Sequence, residues 1–146
     1  MLVKRAMSKN VVSVSVPGNR EKVLDLMRKE DKAVLPVVKG DTKQLVGLIT
    51  RSDLIVNPDE EQIAILMSTD LVTASPDDDV KDVAKKMIDN NVRRVPVVDD
   101  NGDLVGIITS FDLVSNALIK LESDDPVENF MITTVPTTWY KTPLNV

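Results

Sequence analysis

The sequence predicts an α+β fold made of two tandem βαββα units, and three observations carry that prediction. The chain repeats itself: Leu45-Val46-Gly47-Leu48-Ile49-Thr50-Arg51-Ser52-Asp53-Leu54 returns as Leu104-Val105-Gly106-Ile107-Ile108-Thr109-Ser110-Phe111-Asp112-Leu113. Upstream, Leu35-Pro36-Val37-Val38 returns as Val95-Pro96-Val97-Val98, 60 residues on, whereas Asp53 recurs 59 residues on, so one residue slips between the two stretches. Within each copy, strand-type and helix-type patterns follow in the same order. Finally, 42% of the 146 residues are hydrophobic and 3% aromatic, which predicts an aliphatic core in a chain long enough to bury one.

Each copy opens on a β-type stretch, Val11 to Val16 and Leu71 to Ala74, which Pro17 and Pro76 break. A helix follows. In the second copy Val80, Val83, Ala84, Met87 and Ile88 have the spacing of one helical face. Asp77-Asp78-Asp79 before them supply a cap and charge suited to a helix N-terminus. In the first copy Asn19, Val23, Leu24 and Met27 take those parts. Continuous apolar runs, Ala33 to Val38 and Val95 to Val98, then read as buried strands. The turn Asp100-Asn101-Gly102 carries the Asn-Gly hairpin signal, and the returning strands are Leu45 to Ile49 and Leu104 to Ile108. A second helix begins at each Thr-x-x-Asp. Pro58 stops it early in the first copy, whereas Leu113, Val114, Ala117, Leu118 and Leu121 share a face in the second.

The expected boundaries are residues 1–61 for the first repeat, 62–122 for the second and 123–146 for a C-terminal segment. Val3-x-x-x-Met7, Ile63-x-x-x-Met67 and Val127-x-x-x-Met131 share one spacing, each before a β-type stretch. The third reads either as the truncated start of another repeat or as an ordinary C-terminal strand closing the module.

Composition excludes several function classes. Cysteine and histidine are both absent. That removes disulfides, thiol chemistry, the commonest general base and the commonest transition-metal ligand. Without a Ser-His or Cys-His pair, a P-loop or Gly-x-Gly-x-x-Gly, the residues argue against catalysis and call for no required cofactor or metal. A net charge of −5, with basic residues only in short groups, argues against a nucleic-acid partner. No apolar run is long enough to span a membrane, and the expectation is a cytoplasmic protein.

The residues with chemistry to offer lie at strand-to-helix junctions. Thr50-x-x-Asp53 and Thr109-x-x-Asp112 resemble capping boxes, whose side chains satisfy unpaired N–H groups. The same geometry also suits a ligand: helix N–H groups favour phosphate, the Thr hydroxyl adds a bond, and the carboxylate can accept from ribose hydroxyls. Recurrence in both copies favours the ligand reading. Gly47 and Gly106 allow close backbone approach or a bulge. Arg93 and Arg94 precede a buried strand, where they are placed to meet phosphate. The first copy has Ala33 and Val34 there, with Lys32 just before and Arg51 inside the motif, so two sites would be unequal. Asp99-Asp100-Asn101-Gly102-Asp103 looks like a calcium-loop opening, but its Gly stands at position four and Ser110 at position twelve, so it reads as a turn.

Together the Val-x-x-x-Met openings, the Pro-Val-Val strands and the doubled Gly-h-h-Thr-x-x-Asp (h apolar) resemble the cystathionine-β-synthase (CBS) domain pair, or Bateman module, from about Val3 to Leu121. The resemblance implies repeats packed sheet to sheet with pseudo-two-fold symmetry, leaving two clefts that bind AMP, ADP, ATP or S-adenosylmethionine as regulatory ligands. It implies that Asp53 and Asp112 hold ribose, that Thr50 and Thr109 contact phosphate, and that Arg94 does too. Val12, Ser13, Ala33 and Val34 would join Asp112, while Val72, Thr73 and Arg93 would join Asp53. With Arg93-Arg94 in one copy only, the Asp112 cleft is expected to bind phosphate better. A homodimer and a regulated partner domain or protein are also implied. The competing expectation is a dimerisation module whose Thr-x-x-Asp motifs are only helix caps.

Overall fold

The computed structural model describes residues 1–116. The chain divides into two compact units, Met1–Ser110 and Phe111–Val146. Ala117, Leu118, Leu121 and the third Val-x-x-x-Met, at Val127 and Met131, lie outside the described residues.

The elements run α1 (Val3–Ala6), β1 (Val14–Val16), α2 (Arg20–Glu30), β2 (Val34–Lys39), β3 (Leu45–Thr50), α3 (Arg51–Val56), α4 (Ile63–Leu66), α5 (Val80–Asn90), β4 (Arg94–Val98) and β5 (Leu104–Thr109). The fold is the expected α+β pair of repeats. One sheet has the order β1-β2-β3, with β1 parallel and β3 antiparallel to β2; the other pairs β4 with β5.

The opening strands are shorter than their sequence patterns. Val11 to Val16 forms a strand only from Val14, and Leu71 to Ala74 is reduced to one parallel bridge, Ala74 to Val97. The prolines explain this. Ala74 donates to the Pro96 carbonyl at 3.0 Å and accepts from the Val98 amide at 2.9 Å. The next rung toward the N-terminus needs an N–H from Pro96, or from Pro36 in the first copy, and proline has none.

Both hairpins carry a one-residue bulge: Val37 faces Gly47 and Val38 faces Leu45, and Val97 and Val98 repeat the shift against Gly106 and Leu104. The one-residue slip between the copies lies in the turns, Lys39–Gln44 against Asp99–Asp103. The Asn-Gly turn is not the two-residue form with two left-handed residues. Only Gly102 has positive φ, +82°, and the Asp99 amide closes the loop on the Asp103 carbonyl at 3.0 Å. The Asp99 carboxylate accepts from the Asn101 and Asp103 amides at 2.9 and 3.0 Å, so it shapes the turn.

The sequence pattern gave no helix to the Val-x-x-x-Met segments, which form the single turns α1 and α4. Each packs on the other copy's sheet. Ser8 exchanges hydrogen bonds with Ile107 at 2.8 and 3.0 Å, and Ser68 with Leu48 at 2.8 and 2.9 Å. A Cβ at Gly47 would stand 2.7 Å from Met67 Sδ and 3.0 Å from the Ser68 carbonyl; at Gly106 it would stand 2.6 Å from Met7 Sδ and 2.9 Å from the Ser8 carbonyl. Methionine and glycine motifs therefore recur together because they touch. The hairpins also pair reciprocally, Leu45 donating to Gly102 at 3.1 Å and Leu104 to Lys43 at 2.8 Å, about the pseudo-two-fold.

Val23, Met27, Leu35, Val37, Ile49 and Leu54 form a core that Ile63 and Leu66 of α4 complete. Each such side chain contributes about 1.5–3 kcal/mol of burial. In α5, Val83 and Met87 are buried but Ile88 is 80% exposed. One residue past Met87 it lies about 100° round the helix, off the buried stripe.

Candidate functional site

Thr50 ends β3 and caps α3. Its hydroxyl accepts from the Asp53 amide at 3.1 Å, and Asp53 Oδ2 accepts from the Thr50 amide at 2.8 Å, a complete capping box. The box leaves Asp53 Oδ1 without a hydrogen bond among the described residues, on a half-buried side chain whose orientation the backbone sets. Capping and ligand binding are therefore compatible in one carboxylate, which has about four acceptor positions. The short α3, six residues long, is less of an anion site than the sequence pattern suggests.

Val34 stands opposite Thr50 in the β2–β3 register, and the Ala33 carbonyl accepts from the Arg51 amide at 2.9 Å. The Arg51 guanidinium reaches the Lys32 carbonyl at 3.4 Å, which places one cation of the first copy at this sheet end. The second copy repeats the arrangement: Arg94 stands opposite Thr109, and the Arg93 carbonyl accepts from the Ser110 amide at 2.9 Å. Directly opposed residues share a sheet face with Cβ atoms about 4.5–5.5 Å apart, so Arg94 and Thr109 are neighbours. Both arginines are exposed, and neither makes an ion pair among the described residues. Asp112 belongs to the second unit, where residues 111–116 are helical and its carbonyl accepts from Asn116 Nδ2 at 2.6 Å.

Val12 and Ser13 precede β1, and Val72 and Thr73 precede the Ala74 bridge. The proline interruption leaves the Val12 and Val72 carbonyls without a backbone partner among the described residues. Connectivity ties these segments to the opposite copy. Val72 follows Ser68, which is bonded to Leu48, two residues before Thr50; Val12 follows Ser8, bonded to Ile107, two residues before Thr109. Direct pairing, in contrast, joins Ala33–Val34 to Thr50–Arg51 and Arg93–Arg94 to Thr109–Ser110, within one copy each. The residues sequence reasoning missed are the prolines that free those carbonyls. Their signal was visible, since a proline within a buried run removes one rung of a ladder.

The sequence matches the CBS domain family over residues 3–59 and again over 61–119. It is similar to protein MK0525 of Methanopyrus kandleri, 36% identical over 85 residues, which cover 53% of this chain and 43% of that one. The chain thus spans less than half the length of that relative. CBS domain-containing protein YhcV of Bacillus subtilis is 30% identical over 133 residues, covering 87% of this chain and 93% of YhcV. Among solved structures, the CBS domain pair of protein MJ0100, in complex with 5′-methylthioadenosine and S-adenosyl-L-methionine, is 32% identical with a TM-score of 0.72, over 82% of this chain and 98% of that one. With two matched repeats, reciprocal hairpins and a capped Thr-x-x-Asp, the chain belongs to the CBS domain family as a tandem pair.

Proposed function

We propose that the chain is a non-catalytic regulatory module that binds an adenosine-containing ligand, AMP, ADP, ATP or S-adenosylmethionine, in the clefts of its repeat pair. The observation that carries the reading is the Asp53 carboxylate, oriented by the Thr50 amide at 2.8 Å with its second oxygen open to a ribose. The likeness to a CBS pair that holds methylthioadenosine and S-adenosylmethionine supports the adenosine class. Thr50 and Thr109 face phosphate in this reading, Arg94 strengthens the cleft of Asp112 while Arg93 joins that of Asp53, and the Val12 and Val72 carbonyls, which have no backbone partner among the described residues, accept from the adenine amine. Ligand stabilises one placement of the repeats, which a partner domain or protein reads. Ile55, Val56 and Ile88, 70%, 74% and 80% exposed on their helices, offer apolar surface for a homodimer. No helix among the described residues is long and apolar enough to cross a membrane.

Isothermal titration against the four ligands tests the reading. Binding is expected for at least one, lost in the Asp53→Ala plus Asp112→Ala double variant; binding that survives the double variant sinks the site. The complete capping box favours a second reading, a structural dimerisation module. It predicts no ligand-induced rise in melting temperature, with Asp53→Ala costing stability alone.

A further inference from the structure

The two copies differ along the outer edge of their opening strands. In the second copy the Thr73 carbonyl accepts from Lys86 Nζ at 2.9 Å, and the Ser75 amide donates to Asp78 Oδ2 at 2.9 Å. Lys86 and Asp78 stand 4.0 Å apart, so a charged pair plugs that edge. The corresponding groups of the first copy are the Ser13 carbonyl and the Ser15 amide. Leu26 stands in the place of Lys86, and Gly18 in that of Asp78. Neither can plug anything. Val16 turns its carbonyl toward β2, accepting from the Gly40 amide at 2.9 Å, so strand alternation sends the backbone groups of Ser13 and Ser15 the other way. Among the described residues the Ser13 carbonyl and Ser15 amide have no hydrogen bond. They open on a cavity of about 330 Å³ between β1 and α2, with Leu26 and Ile63 in its apolar lining. Lys22, Asp25 and Lys29 line it from one face of α2.

We propose that this groove docks an extended acidic peptide as an added strand beside β1. A carbonyl and an amide flanking one strand residue are the pair that a single residue of a parallel neighbour satisfies. The apolar lining receives that neighbour's inward side chain. Glu21 stands beside Lys22 toward Pro17, but Asp25 is countered by Arg28 at 3.8 Å, so the Lys29 end is net positive and favours an acidic side chain on the peptide. Proteins commonly block strand edges, and the second copy does so with Lys86 and Asp78. The first copy does not. The groove uses none of the Thr-x-x-Asp residues and shares only Ser13 with the residues expected at the adenosine clefts.

The test titrates the full ¹⁵N-labelled chain with the capped pentapeptide Glu-Thr-Val-Thr-Glu, whose central Val faces the apolar lining, and follows backbone amides by NMR. The expected result is a shift of the Ser15 amide with slower exchange, together with shifts along α2. Leu26→Lys, which copies the second repeat's plug, weakens binding about tenfold or more. The peptide with proline at its centre, which lacks the donor, binds as weakly, and Asp53→Ala leaves affinity unchanged. An unmoved Ser15 amide at millimolar peptide overturns the proposal, as does equal binding by the proline peptide to the unaltered chain. Ser15 protection in the free protein that falls on dilution also overturns it, by assigning the groove to a second copy of the chain.

Discussion

The two copies handle the chain after Thr-x-x-Asp by different means. In the first, α3 ends at Val56 because Pro58 follows, and the Arg20 guanidinium gathers the carbonyls left at that end. It donates to Leu54 at 2.6 Å, Asn57 at 2.7 Å and Glu60 at 2.8 Å. In the second copy the chain is still helical at residue 116, no proline interrupts it there, and Val80 stands in the place of Arg20. The same contrast governs the strand edges, plugged by Lys86 and Asp78 in one copy and open in the other. Duplication kept what recurs in both sequences, the Pro-Val-Val strand, the glycine and the Thr-x-x-Asp motif. It relaxed what only one copy's surroundings demand.

That comparison can be broken experimentally, and the largest effect is expected at Arg20. Three carbonyls bonded by one cation should make Arg20→Ala cost about 1.5–3 kcal/mol in urea unfolding. An unchanged midpoint would mean that the Pro58 loop needs no anchor. The glycine contacts come next. Gly47→Ala and Gly106→Ala should each lose about 1–3 kcal/mol by overpacking. Met67→Ala should partly rescue only the first and Met7→Ala only the second. Rescue in the opposite pairing would contradict the crossed packing of α1 and α4.

Smaller is the cap. Thr50→Ala should cost about 1 kcal/mol, measured by thermal and chemical unfolding, and Thr50→Ser much less. The smallest change is expected from Lys86→Leu, about 1 kcal/mol or below, because the Lys86–Asp78 pair is 45% and 35% exposed. This variant makes the second edge resemble the first, so amide exchange should quicken around Thr73 to Ser75. Unchanged exchange there would show that the plug does not distinguish the copies.

Much of this architecture is legible in the sequence. Asn19 caps α2 by accepting from the Lys22 amide at 3.0 Å, and Asp79 accepts from the Lys81 amide at 2.9 Å, as the placement of polar residues before apolar stripes implied. The early stop at Pro58 and the buried Val23, Met27, Val83 and Met87 follow from local rules as well. The strands before Pro17 and Pro76 were overread, because alternation reports burial while pairing depends on the partner strand, and the partner carries Pro36 or Pro96. Ile88 was overread because an apolar stripe has edges that periodicity does not resolve. At the candidate site, the residue types at Thr50, Asp53, Thr109 and Asp112 were visible, but whether Asp53 caps, binds or does both depends on how many carboxylate positions the backbone uses.

By itself, then, the sequence determined the α+β duplication, the helix caps and stops and the hairpins, because each rests on neighbours within a few residues. Tertiary structure alone decided that α1 and α4 pack on the opposite sheets, that glycine meets methionine, and that one strand edge is closed and the other open. Those outcomes depend on groups tens of residues apart, and a pattern along the chain contains no distance across it.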